Sequence, residues 1–192
     1  MKLLLASSNP GKLREYLELA RGTNVEIELL PSFSSFPAFD ESAPTFAENA
    51  AGKALHYSRF TNETALADDS GLVVPALGGS PGVHSARYAG PGASDADRIQ
   101  KLLREMDGKE GDTRGAKFVC VVAIAARGRA LAVVSDMATG AITKEPRGTS
   151  GFGYDPIFLF ENLGLTYAEL PPNEKNAYSH RGRAFRRLLY FI

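Results

Sequence analysis

The chain has 192 residues, 44% of them hydrophobic and 23% charged, and its 22 Lys and Arg balance 22 Asp and Glu to a formal net charge of zero. This is too apolar for a disordered chain, and the length suits a single domain over 1–192, built as two lobes, with a sizeable core. Neutrality argues against long nucleic acid as partner, because affinity there comes from many neutralised phosphates, and it lends nothing to an anionic membrane surface.

Met1 and Lys2 followed by Leu3-Leu4-Leu5-Ala6 have the look of a secretory signal, but the apolar run breaks into Ser7-Ser8-Asn9-Pro10. A signal needs about 7–15 apolar residues, so Lys2–Ala6 is predicted as a short buried strand. No later run approaches the about 18 apolar residues of a membrane span, and a soluble, cytoplasmic protein is expected. Leu13, Leu17 and Ala20 stand at helical spacing over Lys12 to about Ala20, and Val25–Leu30 reads as a second strand. A loop rich in Pro, Ser and Phe follows over Pro31–Pro44. Thr45 with Glu48 fits a capping box opening a helix to about Phe60, with a small-residue face of Ala47, Ala50, Ala51 and Ala54. Asn49 and Lys53 sit one turn apart beside that face.

Thr64–Ala67 is predicted as a short strand ending in Asp68-Asp69-Ser70-Gly71, with Leu72–Val74 beyond it and mainly loop from Leu77 to Gly92. Ser94 and Asp97 cap a helix to about Asp107. Ala116–Ala126 is nearly all apolar and reads as a central strand covered on both faces, with Cys120 in the core. As the lone cysteine, Cys120 excludes an intrachain disulfide and a multi-cysteine metal site, and fits a reducing compartment. Arg127-Gly128-Arg129 turns this strand into Ala130–Asp136 as a hairpin, and Ile157–Phe160 supplies one more strand. A closing helix turns Ala184, Phe185, Leu188, Leu189 and Ile192 inward and Arg183, Arg186 and Arg187 outward. Strands alternating with helices, then a hairpin, make an α/β fold: a mixed sheet flanked by helices.

Three segments carry chemistry. Ser7-Ser8-Asn9-Pro10-Gly11-Lys12 lies where a strand gives way to a helix, a place where free N–H groups collect anions. The G-x-x-x-x-G-K-[ST] spacing of a P-loop is absent, and taken alone the segment reads as a turn and a helix cap. Asp68 and Asp69 repel each other unless a cation or basic groups offset them. Mg²⁺ would do so, since it uses one or two carboxylates and completes its shell with water and substrate phosphate. The plainer reading is a turn with two solvated acids. If the flanking strands run parallel, this pair and Ser7–Lys12 share one sheet edge, where ligands bind in open α/β sheets.

In Gly148–Pro156 glycine flanks Phe152 on both sides, so a flat ring is offered for stacking on a base, although aromatic residues are more often core. Lys175 and Ser179-His180-Arg181-Gly182 complete the set, with His180 and Arg181 as donors to a carbonyl oxygen. His56 and His84 read as structural.

Together these segments closely resemble the inosine/xanthosine triphosphate pyrophosphatase family, enzymes acting on deaminated purine nucleotides. The resemblance rests on Ser7–Lys12, Thr45–Ala50 with Lys53-Ala54, Ala67–Leu72, Pro81-Gly82-Val83 with Ser85–Gly90, Gly151–Phe158 and Glu174–Gly182, in the family's order and over nearly the whole chain. It implies an elongated mixed sheet in two lobes with the site in a central cleft, and commonly a homodimer. It also implies that Ser7, Ser8, Asn9, Pro10, Gly11, Lys12 and Lys53 hold the triphosphate, and that Glu41 and Asp69 bind Mg²⁺ with Asp68 close by. Asp69 would accept the proton of the attacking water and Ser70 would touch the substrate. Phe152, Gly153, Tyr154, Asp155, Lys175, His180 and Arg181 would form the base and sugar pocket.

The implied reaction takes ITP, XTP or their deoxy forms to the monophosphate and pyrophosphate, with no nucleic acid or membrane partner. The chain departs from the family at Ser7-Ser8 (usually Thr then Gly or Asn), Glu41-Ser42-Ala43 (usually Glu-Thr-Gly), Thr139-Gly140 (commonly Glu-Gly) and His84 (often Tyr). Two rivals remain at this stage. One is a Maf-type nucleotide pyrophosphatase with another base preference; the other is a nucleotide sensor without turnover.

Overall fold

β1 (Lys2–Leu5) runs parallel to both β2 (Glu26–Leu29) and β3 (Thr64–Val73), with Leu5 opposite Leu29 on one side and Leu66 on the other. The computed structural model describes every residue from Met1 to Ile192. It continues with β4 (Gly115–Ala126), β5 (Arg129–Ile142), β6 (Phe158–Phe160) and β7 (Leu165–Thr166), in one seven-stranded sheet of order β2-β1-β3-β4-β5-β6-β7. The β5–β6 and β6–β7 pairs are antiparallel, so the sheet is mixed and the fold α/β. The helices are α1 (Pro10–Ala20), α2 (Phe46–Tyr57), α3 (Asp95–Glu105), α4 (Pro172–Tyr178) and α5 (His180–Leu189). None is long and apolar enough to cross a membrane.

The chain forms two compact units, one of Met1–Ser70, Cys120–Asp136 and His180–Ile192, the other of Gly71–Val119 and Met137–Ser179. In the first unit, side chains alternate across each strand and feed two separate cores. Leu3, Leu5, Leu66, Cys120, Val122 and Ile124 pack with Tyr16 of α1 and with Ala184, Phe185 and Leu188 of α5. Leu4, Ala6, Ala67, Val121, Ala123 and Ala125 pack with Ala50, Ala54 and Tyr57 of α2. β4 is therefore covered on both faces, as its nearly all apolar run predicts. Burial of these side chains, worth about 1.5–3 kcal/mol for each large one, seats the helices on the sheet. In the second unit, Ile99 and Leu102 of α3 and Met106 just past its end share a core with Phe118, Ile142, Phe158, Phe160 and Tyr167.

The local signals hold with instructive differences. β4 turns into β5 through Arg127 and Gly128, whose φ angles of 51° and 74° suit the twist of a two-residue hairpin. Ser94 and Asp97 form a reciprocal capping box on α3. At α2 only half a box forms: the Thr45 hydroxyl accepts the Glu48 N–H, but the Glu48 carboxylate takes the Thr45 hydroxyl.

Three expectations are corrected. β3 does not stop at Ala67 but runs unbroken through Asp68 and Asp69 to Val73. β5 extends past Asp136 to Ile142. α4 and β7 lay in stretches where no element was expected.

Candidate active site

In the first unit the parallel β1–β3 register, extended by the Ala6 N–H donating to Leu66 O at 2.8 Å, carries Ser7 towards Asp68. Asn9 caps α1, its side-chain oxygen accepting the N–H groups of Gly11 (2.8 Å) and Lys12 (3.2 Å), and the Ser7 hydroxyl accepts the Asn9 N–H. Ser8 and Pro10 are exposed and Gly11 is buried. From the first turn of α1, Lys12 reaches β3, with its Nζ 2.9 Å from Asp68 Oδ1 and donating to the Asp68 main-chain oxygen at 3.3 Å.

Asp68 is 2% exposed and faces the α1–α5 side of the strand. Arg181, at the start of α5 and 1% exposed, donates from Nε to Asp68 Oδ2 at 3.1 Å. Its Nη1 pairs with Glu15 and its Nη2 donates to the Ser70 hydroxyl at 2.7 Å. Burial alone would raise the Asp68 carboxyl, but the cations of Lys12 and Arg181 outweigh it and hold the group well below the usual carboxylate range. Cys120 Sγ lies 3.8 Å from Asp68 Oδ2, and burial pushes its thiol up, so it stays an inert core group.

Asp69 faces the other way, towards α2. It is 7% exposed and accepts from Asn49 Nδ2 at 3.0 Å and from the Ser70 N–H at 3.0 Å, with no ion pair. Burial pushes its carboxyl up, and nearby Glu41 and Asp68 add to the rise against the opposing pull of Lys12 and Asn49. Asn49, fully buried, also clasps Ala43: its Oδ1 accepts the Ala43 N–H at 3.0 Å and its Nδ2 donates to Ala43 O at 3.2 Å. One turn on, Lys53 is ion-paired with Glu41.

Glu41, Asp69 and Asp68 do not converge as a three-ligand cage, and no three acidic, His or Cys side chains do so elsewhere. Glu41 and Asp69 suit a hard cation such as Mg²⁺, which takes one or two carboxylates rather than a full protein shell. The buried Asp69 carboxylate, lacking any ion pair, is the group such a cation would offset.

In the second unit Phe152 is half-buried between Gly151 (φ 77°) and Gly153 (φ 63°). The Phe152 N–H donates to Asp155 Oδ2 at 2.8 Å, and Lys175 is ion-paired with the same carboxylate while its Nζ lies 5.0 Å from the Phe152 ring centre. Gly151 is obligatory here, since a Cβ on it would lie 2.1 Å from Asp155 Oδ2. Tyr154 belongs to the core, its hydroxyl donating to Ser85 O at 3.0 Å.

Of the candidate residues, Ser7–Lys12, Glu41, Lys53, Asp68, Asp69, Ser70, His180 and Arg181 thus lie in the first unit, and Phe152–Asp155 and Lys175 in the second. His180 is buried at the start of α5, His84 is exposed, and His56 meets Pro37 O at 2.7 Å. Sequence reasoning passed over Asn49 and Glu15 as site residues. Asn49 and Glu15 did carry a weak signal, lying one helical turn from Lys53 and Lys12 on their helices.

Comparison with known proteins agrees along the whole chain. Residues 3–191 match the model of the Ham1 family. A dITP/XTP pyrophosphatase of Geobacillus kaustophilus is 49% identical over 187 residues, covering 97% of this chain and 92% of the relative. One of Methylococcus capsulatus is 48% identical over 186 residues, with 95% and 92% covered. A HAM1 protein from Coxiella burnetii superposes with a TM-score of 0.87 at 43% identity, covering 99% of this chain and 97% of that one. From its first strand to its last helix, the chain belongs to the Ham1 family.

Proposed function

We propose that the protein is a nucleoside triphosphate pyrophosphatase acting on ITP and XTP and their deoxy forms, releasing the monophosphate and pyrophosphate. The observation that carries the reading is Asp69, a buried carboxylate without an ion pair, kept basic by desolvation beside Glu41 and Lys53. The similarity to dITP/XTP pyrophosphatases of Geobacillus kaustophilus and Methylococcus capsulatus supports the same chemistry.

Asp69 takes a proton from the water whose oxygen bonds to the α-phosphorus, as the bond from that phosphorus to the bridging oxygen breaks and pyrophosphate leaves. Ser7, Ser8, Lys12 and Lys53 receive the triphosphate, with Asn9, Pro10 and Gly11 shaping the turn, and the two lysines offset charge moving onto the leaving group. Glu41 and Asp69 would hold Mg²⁺, which when bound neutralises phosphate charge and acidifies the attacking water. Asp68 acts as the buried anchor of Lys12 and Arg181.

Phe152, Gly153, Tyr154, Asp155 and Lys175 serve base and sugar. Donors aimed at a 6-oxo group reject adenine, whose amino group would leave them unpaired. We place the enzyme in the cytoplasm with the nucleotide pool, and as a homodimer. Exposed Leu131, Val133, Tyr190 and Phe191 supply apolar surface for association, which sedimentation of the purified protein tests.

The deciding assay is pyrophosphate release from ITP, XTP, ATP, GTP, dTTP and UTP, with Mg²⁺ and with a chelator. Mg²⁺-dependent release from ITP and XTP far above the others is expected. Equal turnover of pyrimidine nucleotides, or binding without release, overturns the reading.

A further inference from the structure

We propose that Asp95, the first residue of α3, is a positioning residue for base selection, holding the loop that presents Phe152. An acid in the first turn of a helix is ordinarily explained by the helix dipole or by capping. On α3 the cap is already complete without it, because Ser94 and Asp97 satisfy each other. The two oxygens of Asp95 are spent differently. Oδ1 pairs with Arg98, which is itself fixed by donating to Ala93 O at 2.6 Å and to Ala86 O at 3.0 Å. Oδ2 accepts the Gly153 N–H at 2.7 Å, from a residue 58 positions away.

The Phe152 and Gly153 N–H groups are therefore held side by side by two carboxylates, Asp155 from the loop itself and Asp95 from α3. Both glycines around Phe152 sit at positive φ, where the unrestrained chain has the most freedom to lose. Asp155 is braced by Lys175, while Asp95 also pairs with Arg98 through its other oxygen. Removing Asp95 leaves Gly153 with one restraint fewer and lets the Phe152 ring wander. Triphosphate handling, which draws on Ser7–Lys12 and Lys53, keeps its machinery. The effect then falls on discrimination between bases and on KM rather than on kcat.

This inference rests on the assignment of Phe152–Asp155 to the base, and the experiment separates the two. Steady-state constants for ITP and ATP are measured for Asp95→Ala, Asp95→Asn, Arg98→Met and Phe152→Ala, with the folded state of each checked by circular dichroism and melting. Asp95→Ala is expected to raise KM for ITP and to lower the ITP-to-ATP ratio of kcat/KM by about three- to tenfold, the worth of one hydrogen bond, with kcat little changed. Asp95→Asn keeps an acceptor for Gly153 and restores the ratio, and Arg98→Met leaves it near the parent's.

A parent-like ratio in Asp95→Ala, with Phe152→Ala collapsing it, overturns the positioning role alone. A parent-like ratio in Phe152→Ala overturns the base assignment and this inference with it. Equal losses in Asp95→Asn and Arg98→Met mean that the ion pair at the start of α3, not the bond to Gly153, was at work, and overturn the proposal. Should Asp95→Ala fail to fold, Asp95→Asn against Arg98→Met still decides.

Discussion

Asp68 and Asp69 are consecutive on β3, face opposite sides of the strand, and have carboxyls displaced in opposite directions. Asp68 meets Lys12 and Arg181 on one side, while Asp69 meets only the Asn49 amide and the Ser70 N–H on the other. The period of two along a strand thus divides two like charges between a paired, structural role and an unpaired one suited to accepting a proton.

Replacing Asp69 by Asn should cost activity and not stability. Without a carboxylate to take the proton, ITP turnover is expected to fall by about 10²–10⁴-fold. In metal-free buffer the melting temperature should hold or rise, because the substitution removes an uncompensated buried charge. Undiminished turnover would exclude Asp69 as the base.

The pH dependence follows from the same two shifts. Asp69 must be ionised to act, so kcat/KM for ITP is expected to fall in acid as its carboxylate is protonated. For stability, Asp69 binds its proton more tightly folded than unfolded. Its contribution is therefore present below 3.8 and lost as pH rises through the raised folded value. The melting advantage of Asp69→Asn over the parent, measured with a chelator, should be absent in acid and appear on passing towards neutrality. Asp68 has the opposite sign: its contribution is full above 3.8 and is lost only as pH falls through its depressed folded value.

Asp68→Asn should destabilise by about 3–5 kcal/mol, since it leaves Arg181 buried with Glu15 as the acidic partner among those paired here. For a chain of this length that is a fall of about 10 °C in melting temperature. Adding Arg181→Met, which removes that buried cation, should recover at least half of the loss. If the double variant is worse than the sum of the singles, the pair was not the source of the cost.

The parts of this arrangement that were legible in sequence are the parts whose cause is local. The β1–α1 turn could be read from Asn9-Pro10-Gly11, the α3 cap from Ser94 and Asp97, and β4 from its apolar run. The passage of β3 through Asp68 and Asp69 could not, because two adjacent acids read as a solvated turn. What lets that strand stay buried is a lysine 56 positions away and an arginine 113 positions away. The far half of β5 was hidden by exposed Met137 and Thr139 around Gly140, which lack an apolar alternation. Candidate roles came from motif resemblance, which points to single residues. Asn49 and Asp95 act through main-chain groups of distant loops, and no spacing rule reports that.

Gly52→Ala separates the seat of the Glu41 loop from the stability of α2. Gly52 lies inside α2, where alanine is favoured over glycine by about 1 kcal/mol. A Cβ there would come within 2.5 Å of the far edge of the Phe39 ring, which occupies the notch the glycine leaves. That ring is half-buried, and the Phe39 N–H donates to the Tyr57 hydroxyl at 3.3 Å, two residues before Glu41. The ring can swing away at small cost, so the melting temperature should stay level or rise. The Glu41 loop loses its seat, and the Mg²⁺ concentration for half-maximal activity should increase by about three- to tenfold. Weaker Mg²⁺ binding by calorimetry should accompany it, independent of turnover. Phe39→Ala should weaken Mg²⁺ binding similarly in the parent but add little in the Gly52→Ala background, as expected for two residues acting through one contact. A drop of several degrees in melting temperature with unchanged Mg²⁺ affinity would instead make the notch a packing feature of α2 and detach it from Glu41.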